Sequence, residues 1–297
     1  MLIAVSAVAF GLLSSAGGDA LSALRENPQV SEETVERLRQ VYGLDRPLAV
    51  RYGTWVSAMA RGDMGESLSF RTSVAGLVFS RLLNTLKLGL LALAIAIGVS
   101  VLLSFASVRL NKAIIDRSID LIVLVTASMP RIVLALFALA LTVGLSGSVA
   151  AINNGSAAAM LLAAAVLSVP VIALFLGQMH GELRQAMNEP FVRYARAKGL
   201  SENEVILRHA SRAALNPLLT IFGLSLGALI GGSVIVETVL GWPGLGALTV
   251  SAVLSRDAPL VMGVVVVSSA AVWLGNSIAE VLQVLNDRRL RDSEIDV

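Results

Sequence analysis

Cysteine, histidine and charge are all scarce in this chain. It has no cysteine and only two histidines, His180 and His209, among its 297 residues. Disulfides and thiolate metal sites are therefore excluded, and two imidazoles are too few for a histidine-based metal centre. Charged residues make up 15% of the chain and the net charge is only +2. Because a phosphate-binding face needs clustered basic charge, nucleic acid is not an expected partner.

The sequence also lacks the usual signs of an enzyme. No nucleophile–base pair, Walker loop or metal-ligand cluster is visible in it. The chain therefore shows no means of hydrolysing a nucleotide, and no cofactor is expected within it. If the protein moves a solute uphill, the energy must come from an ion gradient or from another subunit.

What the sequence has in excess is apolar surface. Hydrophobic residues make up 56% of it and charged residues only 15%. A soluble domain carries about 25% charged residues and correspondingly less apolar surface. Lipid is therefore the expected solvent, and spanning segments in lipid must be helices. Six stretches are long enough to cross about 30 Å of hydrocarbon: Met1–Gly18, Leu88–Val108, Leu121–Gly144, Ser156–Gln178, Ala213–Val236 and Ala258–Ala279. The sequence predicts an all-α membrane protein with six transmembrane helices.

The distribution of lysine and arginine predicts the orientation. Loops 109–117 and 179–212 and the tail 287–297 hold three, six and three basic residues, whereas loop 145–155 has none and loop 237–257 has only Arg256. Because basic loops stay in the cytoplasm, both termini and loop 190–212 are predicted to be cytoplasmic. The first span could instead be a cleaved signal peptide, but no basic segment precedes it.

Residues 19–79 are predicted to form an external helical segment. Ser31 can cap one helix, and Pro47 can begin another that presents Leu48, Tyr52, Trp55 and Met59 on one face. Two interpretations of this face stay open: an amphipathic helix on the bilayer, or a docking surface for an external partner.

Few charges lie within the predicted spans. Arg131 follows Pro130 inside the third span, Glu237 lies at the outer end of the fifth, and Glu280 lies at the inner end of the sixth. Charges in lipid are costly and mark functional positions, so Pro130, Arg131 and Glu237 are candidates for a translocation pathway. Placement at the membrane boundary is the alternative for Glu237 and Glu280. Arg131 either faces a water-filled pathway or pairs with a carboxylate of a partner.

The charged loop 190–212 predicts two short helices. The first begins after Pro190 and ends at Gly199, and Ser201 with Glu204 forms a capping box for the second. The first helix presents aromatic and basic side chains that suit a groove on a soluble protein; a solvated interfacial loop is the alternative. The candidate contact residues are Phe191, Arg193, Tyr194, Ala195, Arg196, Lys198 and Gly199.

These residues carry a family resemblance. The runs YARAKGLSE from Tyr194 to Glu202 and LRHA from Leu207 to Ala210 resemble the cytoplasmic EAA loop of ABC importer permeases, in the branch for oligopeptides, dipeptides and nickel. The block from Gly231 to Gly246 is similar to the segment after that branch's fifth span, and the runs YGLDRP and RGDMG of the external segment also fit. The glutamate of the EAA motif is absent here, as expected for the peptide branch. Two departures are the lack of a basic leader before the first span and Arg131, which follows Pro130 where a small or apolar residue is usual.

The resemblance implies a type I importer permease fold, with a transmembrane domain over residues 80–286 and a place in the bacterial inner membrane. It implies half of a translocation pathway for peptides or a similar small solute, and the seven candidate residues of loop 190–212 as the contact with a cytoplasmic ATPase. The implied partners are a second related permease, two ATPase subunits that bind ATP, and an external solute-binding protein. A secondary transporter or channel is the alternative, and it predicts more ionisable groups within the spans.

Overall fold

The computed structural model describes residues 1–15, 31–41, 45–147 and 156–286. These residues form helices, and within the described ranges the only strand-like pairing is a single antiparallel bridge between Glu66 and Ser73. The predicted all-α class is confirmed. The predicted tail 287–297 lies outside the described residues.

In chain order the helices are α1 (Leu2–Ser15), α2 (Glu32–Val41), α3 (Leu48–Met59), α4 (Val74–Leu110), α5 (Ala113–Ser128), α6 (Arg131–Ser146), α7 (Ala157–Asn188), α8 (Pro190–Ala197), α9 (Glu202–Glu204), α10 (Ser211–Val239), α11 (Leu245–Leu254) and α12 (Ala258–Asn286). A π-helical turn, Val205–Ala210, joins α9 to α10. The stretch 237–257, which connects the fifth and sixth predicted spans, contains helix α11, which was not predicted from the sequence.

Three helical segments among the described residues are long and apolar enough to cross a membrane: α4, α7 and the part of α12 from Ala258 to Ile278. Two bent pairs raise the number to at most five. The first pair is α5 with α6, and the second consists of the two parts of α10 on either side of a 42° bend. The described part of the first predicted span, α1, has 14 residues, which is shorter than the roughly 20 that a span needs. Six spans therefore stay a prediction.

The third predicted span is broken sharply at the proline noted in the sequence. Helices α5 and α6 meet at an angle of 96°. Pro130 has no backbone N–H to donate, and it forces Met129 before it into an extended conformation with φ −84° and ψ 118°. Pro170, in contrast, lies inside α7 without ending it.

One compact unit consists of residues 1–85 and 243–271. Its core is formed by Val74, Val78, Leu248, Leu260 and Val264 from α4, α11 and α12. The prediction that Ser31 caps α2 is confirmed, because its Oγ accepts from the Thr34 N–H at 3.2 Å.

Helix α3 of this unit follows Pro47 as predicted. The Tyr52 hydroxyl lies 2.9 Å from the Ser6 hydroxyl of α1, and the Tyr52 ring packs on Phe10 with centroids 5.5 Å apart. Part of the aromatic face of α3 is therefore occupied by α1, while Leu48 on the same helix is exposed.

The second compact unit consists of the described residues within 86–242 and 272–286. Its core lies along α7, where Leu167, Leu176 and Leu183 are buried against apolar residues of α4 such as Leu88 and Leu93. Gly177 gives α7 a close approach to α5, because a Cβ at this glycine would lie 3.5 Å from a methyl group of Val123. The cytoplasmic loop predicted from the sequence leaves this core at the end of α7.

Candidate functional site

Helix α8 is delimited by a proline and a glycine, as the sequence predicts. Pro190 occupies its first turn, where a missing N–H costs no helical hydrogen bond. At the other end, Gly199 adopts a left-handed conformation with φ 79° and donates its N–H to the Arg196 carbonyl at 2.9 Å. This conformation favours glycine, because the Cβ of any other residue would be sterically strained there.

The helix has one buried and one exposed face. Val192 and Ala195, three residues apart, are buried in the same core cluster as Leu183 and Ala186 of α7. On the other side, Phe191 is exposed and Tyr194 is 72% exposed. The structure therefore groups Phe191, Arg193 and Tyr194 on one surface and places Ala195, a predicted contact residue, against the chain's own core.

The basic residues of this surface differ in their pairing. Arg196 makes a two-pronged ion pair with Glu202, with Nε to Oε1 at 2.8 Å and Nη2 to Oε2 at 3.2 Å. Arg193 and Lys198 are exposed and have no ion-pair partner within the part of the chain that the structure describes. Two positive charges on α8 and at its end are therefore unpaired within the described residues, and the third is paired with Glu202.

The predicted capping box is confirmed. The Glu204 carboxylate accepts from the Ser201 hydroxyl at 3.0 Å and from the Ser201 N–H at 3.2 Å, and the Ser201 hydroxyl accepts from the Glu204 N–H. These hydrogen bonds, the side-chain one first, lower the pKa of the Glu204 carboxyl. In the π-helical turn that follows, Val205 and Ile206 are buried, whereas the next residue, Leu207, is exposed. The wider π turn changes which residues share a face.

A partly buried carboxylate on α5 was not predicted from the sequence. Asp116, in the first turn of α5, accepts from an Nη2 of Arg184 and from the Ser107 hydroxyl, and its Oδ1 lies 3.7 Å from Nε2 of His180. His180 and Arg184 are four residues apart, so they share a face of α7. That spacing was visible in the sequence, but Asp116 lies 68 residues from Arg184, and nothing local indicates the pairing.

The predicted pathway residues do not share one exposed surface. Pro130 is exposed at the bend between α5 and α6, and Arg131 begins α6 half-buried, without an ion pair to any residue in the described ranges. Glu237, near the end of α10, is fully buried. Glu280 is exposed on α12.

Comparison with known proteins decides the family. The family model described as "Binding-protein-dependent transport system inner membrane component" matches residues 95–292. The chain belongs to this family. It is the permease subunit of an ATP-driven ABC importer, a multi-pass inner-membrane component that works with an ATPase and a solute-binding protein. The alternative of a secondary transporter or channel is thereby set aside.

The permease has relatives over nearly its whole length. It is 33% identical over 303 residues to a protein of Brucella suis biovar 1 named as a peptide permease, covering 98% of this chain and 95% of that one. It is 32% identical over 301 residues to the oligopeptide transport system permease protein AppB of Bacillus subtilis, with the same coverage. A protein of Sinorhizobium fredii named as a peptide ABC transporter permease is 31% identical over 290 residues, covering 95% of this chain and 92% of its own.

Proposed function

We propose that α8 docks into a groove of the cytoplasmic ATPase and converts movement of that subunit into movement of the membrane helices. The observation that carries the proposal is the two-faced character of α8. Its inner face is fixed to α7 through Val192 and Ala195, while Tyr194 on its outer face is 72% exposed. A helix that is packed against α7 on one face and exposed on the other can bind a partner and move together with α7.

The chemistry of the outer face indicates the kind of groove. Phe191 and Tyr194 supply aromatic area of the type that dominates interface energetics. Arg193 and Lys198 supply charge that is unpaired within the described residues. The complementary surface is an apolar pocket with an acidic rim, and rim charges of this type affect the association rate more than the affinity.

Site-directed cross-linking tests this contact. Because the permease has no native cysteine, Phe191→Cys and Tyr194→Cys each give a single thiol. Both are expected to cross-link to the ATPase in the assembled transporter. The matched control is Leu254→Cys, which is 80% exposed in the segment predicted to be external. Cross-linking from Leu254 and none from Tyr194 would refute the proposal.

The assembly proposed for the whole transporter follows the family resemblance. One copy of this permease pairs with a second, related permease, two ATPase subunits and an external solute-binding protein, and ATP is bound by the ATPases, not by this chain. The ATPase contact is formed or shaped by six residues of α8 and its end: Phe191, Arg193, Tyr194, Arg196, Lys198 and Gly199. Ala195 supports this contact from the buried face of the helix.

The proposed orientation puts both termini and α8 in the cytoplasm. An enzymatic reporter fused after Asn153 is expected to be active outside the cytoplasm, and one fused after Glu202 only inside it. The opposite pair of signals would overturn the orientation.

Peptides are the proposed cargo. The support is the printed names of the relatives from Brucella suis and Bacillus subtilis, which describe peptide and oligopeptide transport. The test is uptake of labelled oligopeptides, with nickel uptake measured beside it as the competing possibility. Uptake of nickel without uptake of any peptide would contradict the proposed cargo.

A further inference from the structure

The Asp116 carboxylate lies where three helices meet. It belongs to α5, its hydroxyl donor Ser107 belongs to α4, and its cationic partner Arg184 belongs to α7. The side chain is 15% exposed, so most of its hydration has been replaced by these contacts. Its position in the first turn of α5 is also favourable, because a carboxylate there faces the positive end of the helix dipole.

A carboxylate held in this way resists separation from its partners. The Asp116 side chain is 15% exposed and the Arg184 side chain is 42% exposed, so the pair is partly shielded from solvent. Removing Arg184 leaves the less exposed carboxylate without its cationic partner, which costs more than breaking a fully exposed pair. The His180 Nε2 lies 3.7 Å from the same carboxylate, beyond hydrogen-bond distance. The ion pair therefore joins α5 to α7 in addition to their apolar packing.

Arg184 also lies close to the docking helix. Six residues separate it from Pro190, where α8 begins. On either side of Arg184, Leu183 and Ala186 of α7 are buried in one cluster with Val192 and Ala195 of α8. The end of α7 and the whole of α8 are therefore packed as one piece, and Arg184 is part of that piece.

The other end of α5 is the sharp bend. Helix α5 ends at Ser128, and the chain turns by 96° into α6 at Met129 and Pro130. Helix α5 therefore connects Asp116, in its first turn, to this bend, where Arg131 begins α6.

We propose that the Asp116–Arg184 ion pair is the link through which displacement of α8 reaches α5 and the bend at Met129 and Pro130. Asp116 is then a positioning residue for transport, and Ser107 fixes the orientation of its carboxylate. The inference rests on the proposed docking of α8. Since position between two sites is not by itself proof of coupling, the test is a charge-swap cycle.

The experiment uses the complete transporter with its ATPase and binding protein in proteoliposomes. Asp116→Asn and Arg184→Gln are each expected to lower solute uptake about tenfold while ATP hydrolysis stays within about twofold, a loss within the range of mutations in coupled networks. The double variant Asp116→Arg with Arg184→Asp is expected to recover at least half of the lost uptake. The matched control is Asp120→Asn, which removes the same charge from an exposed position one turn later on α5.

The outcomes separate this inference from the docking proposal. Uptake by Asp116→Asn equal to that of Asp120→Asn would overturn the inference. So would a charge-swapped variant as poor as the single variants while the assembled complex is present in normal amount. If Asp116→Asn reduces the amount of assembled complex, Asp116→Glu provides the test instead. This variant keeps the negative charge and is expected to retain the coupling of ATP hydrolysis to uptake. An uncoupled Asp116→Glu would overturn the inference. Cross-linking of Tyr194→Cys to the ATPase in the Asp116→Asn background reports on docking independently of uptake.

Discussion

The buried carboxylate of Asp257 is important for the packing of its part of the chain. Asp257 is fully buried just before α12. Its Oδ2 accepts from the Ser67 hydroxyl at 2.6 Å and the Ser69 N–H at 2.9 Å, and its Oδ1 accepts from the Leu260 N–H at 3.2 Å. The side chain therefore caps α12 and also holds the loop after α3 in place.

We predict that Asp257→Ala destabilises this unit. The substitution leaves three donors without their acceptor, and a buried unsatisfied group costs about 1–3 kcal/mol. The thermal unfolding midpoint of the purified protein is expected to fall by several degrees, with Asp257→Asn in between because it keeps one oxygen. An unfolding midpoint for Asp257→Ala equal to that of the unmodified chain would contradict this account.

The capping box at Ser201 predicts a local pH dependence. Hydrogen bonds from Ser201 lower the pKa of Glu204, so its contribution is complete above the ordinary carboxyl pKa and is lost as pH falls through the lowered value. Amide hydrogen exchange of Ser201, corrected for intrinsic rates, is expected to show protection that decreases in that acidic range. In Glu204→Gln the protection should not depend on pH over that range. A fall of equal size in both proteins would rule out the carboxylate as its cause.

These residues show what a sequence can and cannot reveal. The Ser201–Glu204 box was predictable because both partners lie within one helical turn. Asp257 and Ser67 are separated by 190 residues, and Asp116 and Arg184 by 68. No local pattern links such pairs, because the fold alone brings them together.

At the scale of helices, one close contact fixes α12 against α4. A Cβ on Gly263 would lie 2.5 Å from Cγ1 of Val74, whereas a Cβ on Gly76 would meet nothing within 4 Å. Both glycines lie in helices, so they differ mainly in packing. The absence of a side chain at Gly263 is therefore a packing requirement.

We predict opposite effects of alanine at these two glycines. Gly263→Ala is expected to destabilise the protein by about 1–3 kcal/mol through overpacking. Gly76→Ala is expected to be neutral or to stabilise it by up to about 1 kcal/mol through helix propensity. Thermal unfolding of the two variants in the same detergent makes the comparison. Equal unfolding midpoints for the two variants would show that the contact at Gly263 is not restrictive.

Hydropathy predicted the existence of most helices but not their limits. The predicted span 88–108 lies inside α4, which has 37 residues, and the predicted span 156–178 lies inside α7, which continues to Asn188. Helical extensions beyond the hydrocarbon carry no hydropathy signal. The proline at 130 was noticed, but the angle of 96° depends on how α5 and α6 pack against α7. Helix α11 was missed because its ten residues, although mostly apolar, are too few for a span.

At the scale of the whole molecule, the proposed role of this chain is to transmit movement from its cytoplasmic surface to its membrane helices. We propose that the permease receives movement at α8 and passes it through α7, Asp116 and α5 to the bend before α6. Family membership is established by the match over residues 95–292. The proposed contact with the ATPase is the step that would couple ATP hydrolysis to movement of the membrane helices.

The most direct measurement is the ratio of ATP hydrolysed to solute imported in proteoliposomes containing the complete transporter. We predict that Tyr194→Asp raises this ratio about tenfold or more, since burying an unpaired charge at an interface costs several kcal/mol, while Tyr194→Phe stays near the unmodified ratio. Gly199→Pro is expected to behave like Tyr194→Asp, because it removes the N–H bonded to Arg196 and cannot adopt φ 79°. Both variants should remain in the membrane. An unchanged ratio with normal uptake in Tyr194→Asp and Gly199→Pro would contradict the coupling role of α8.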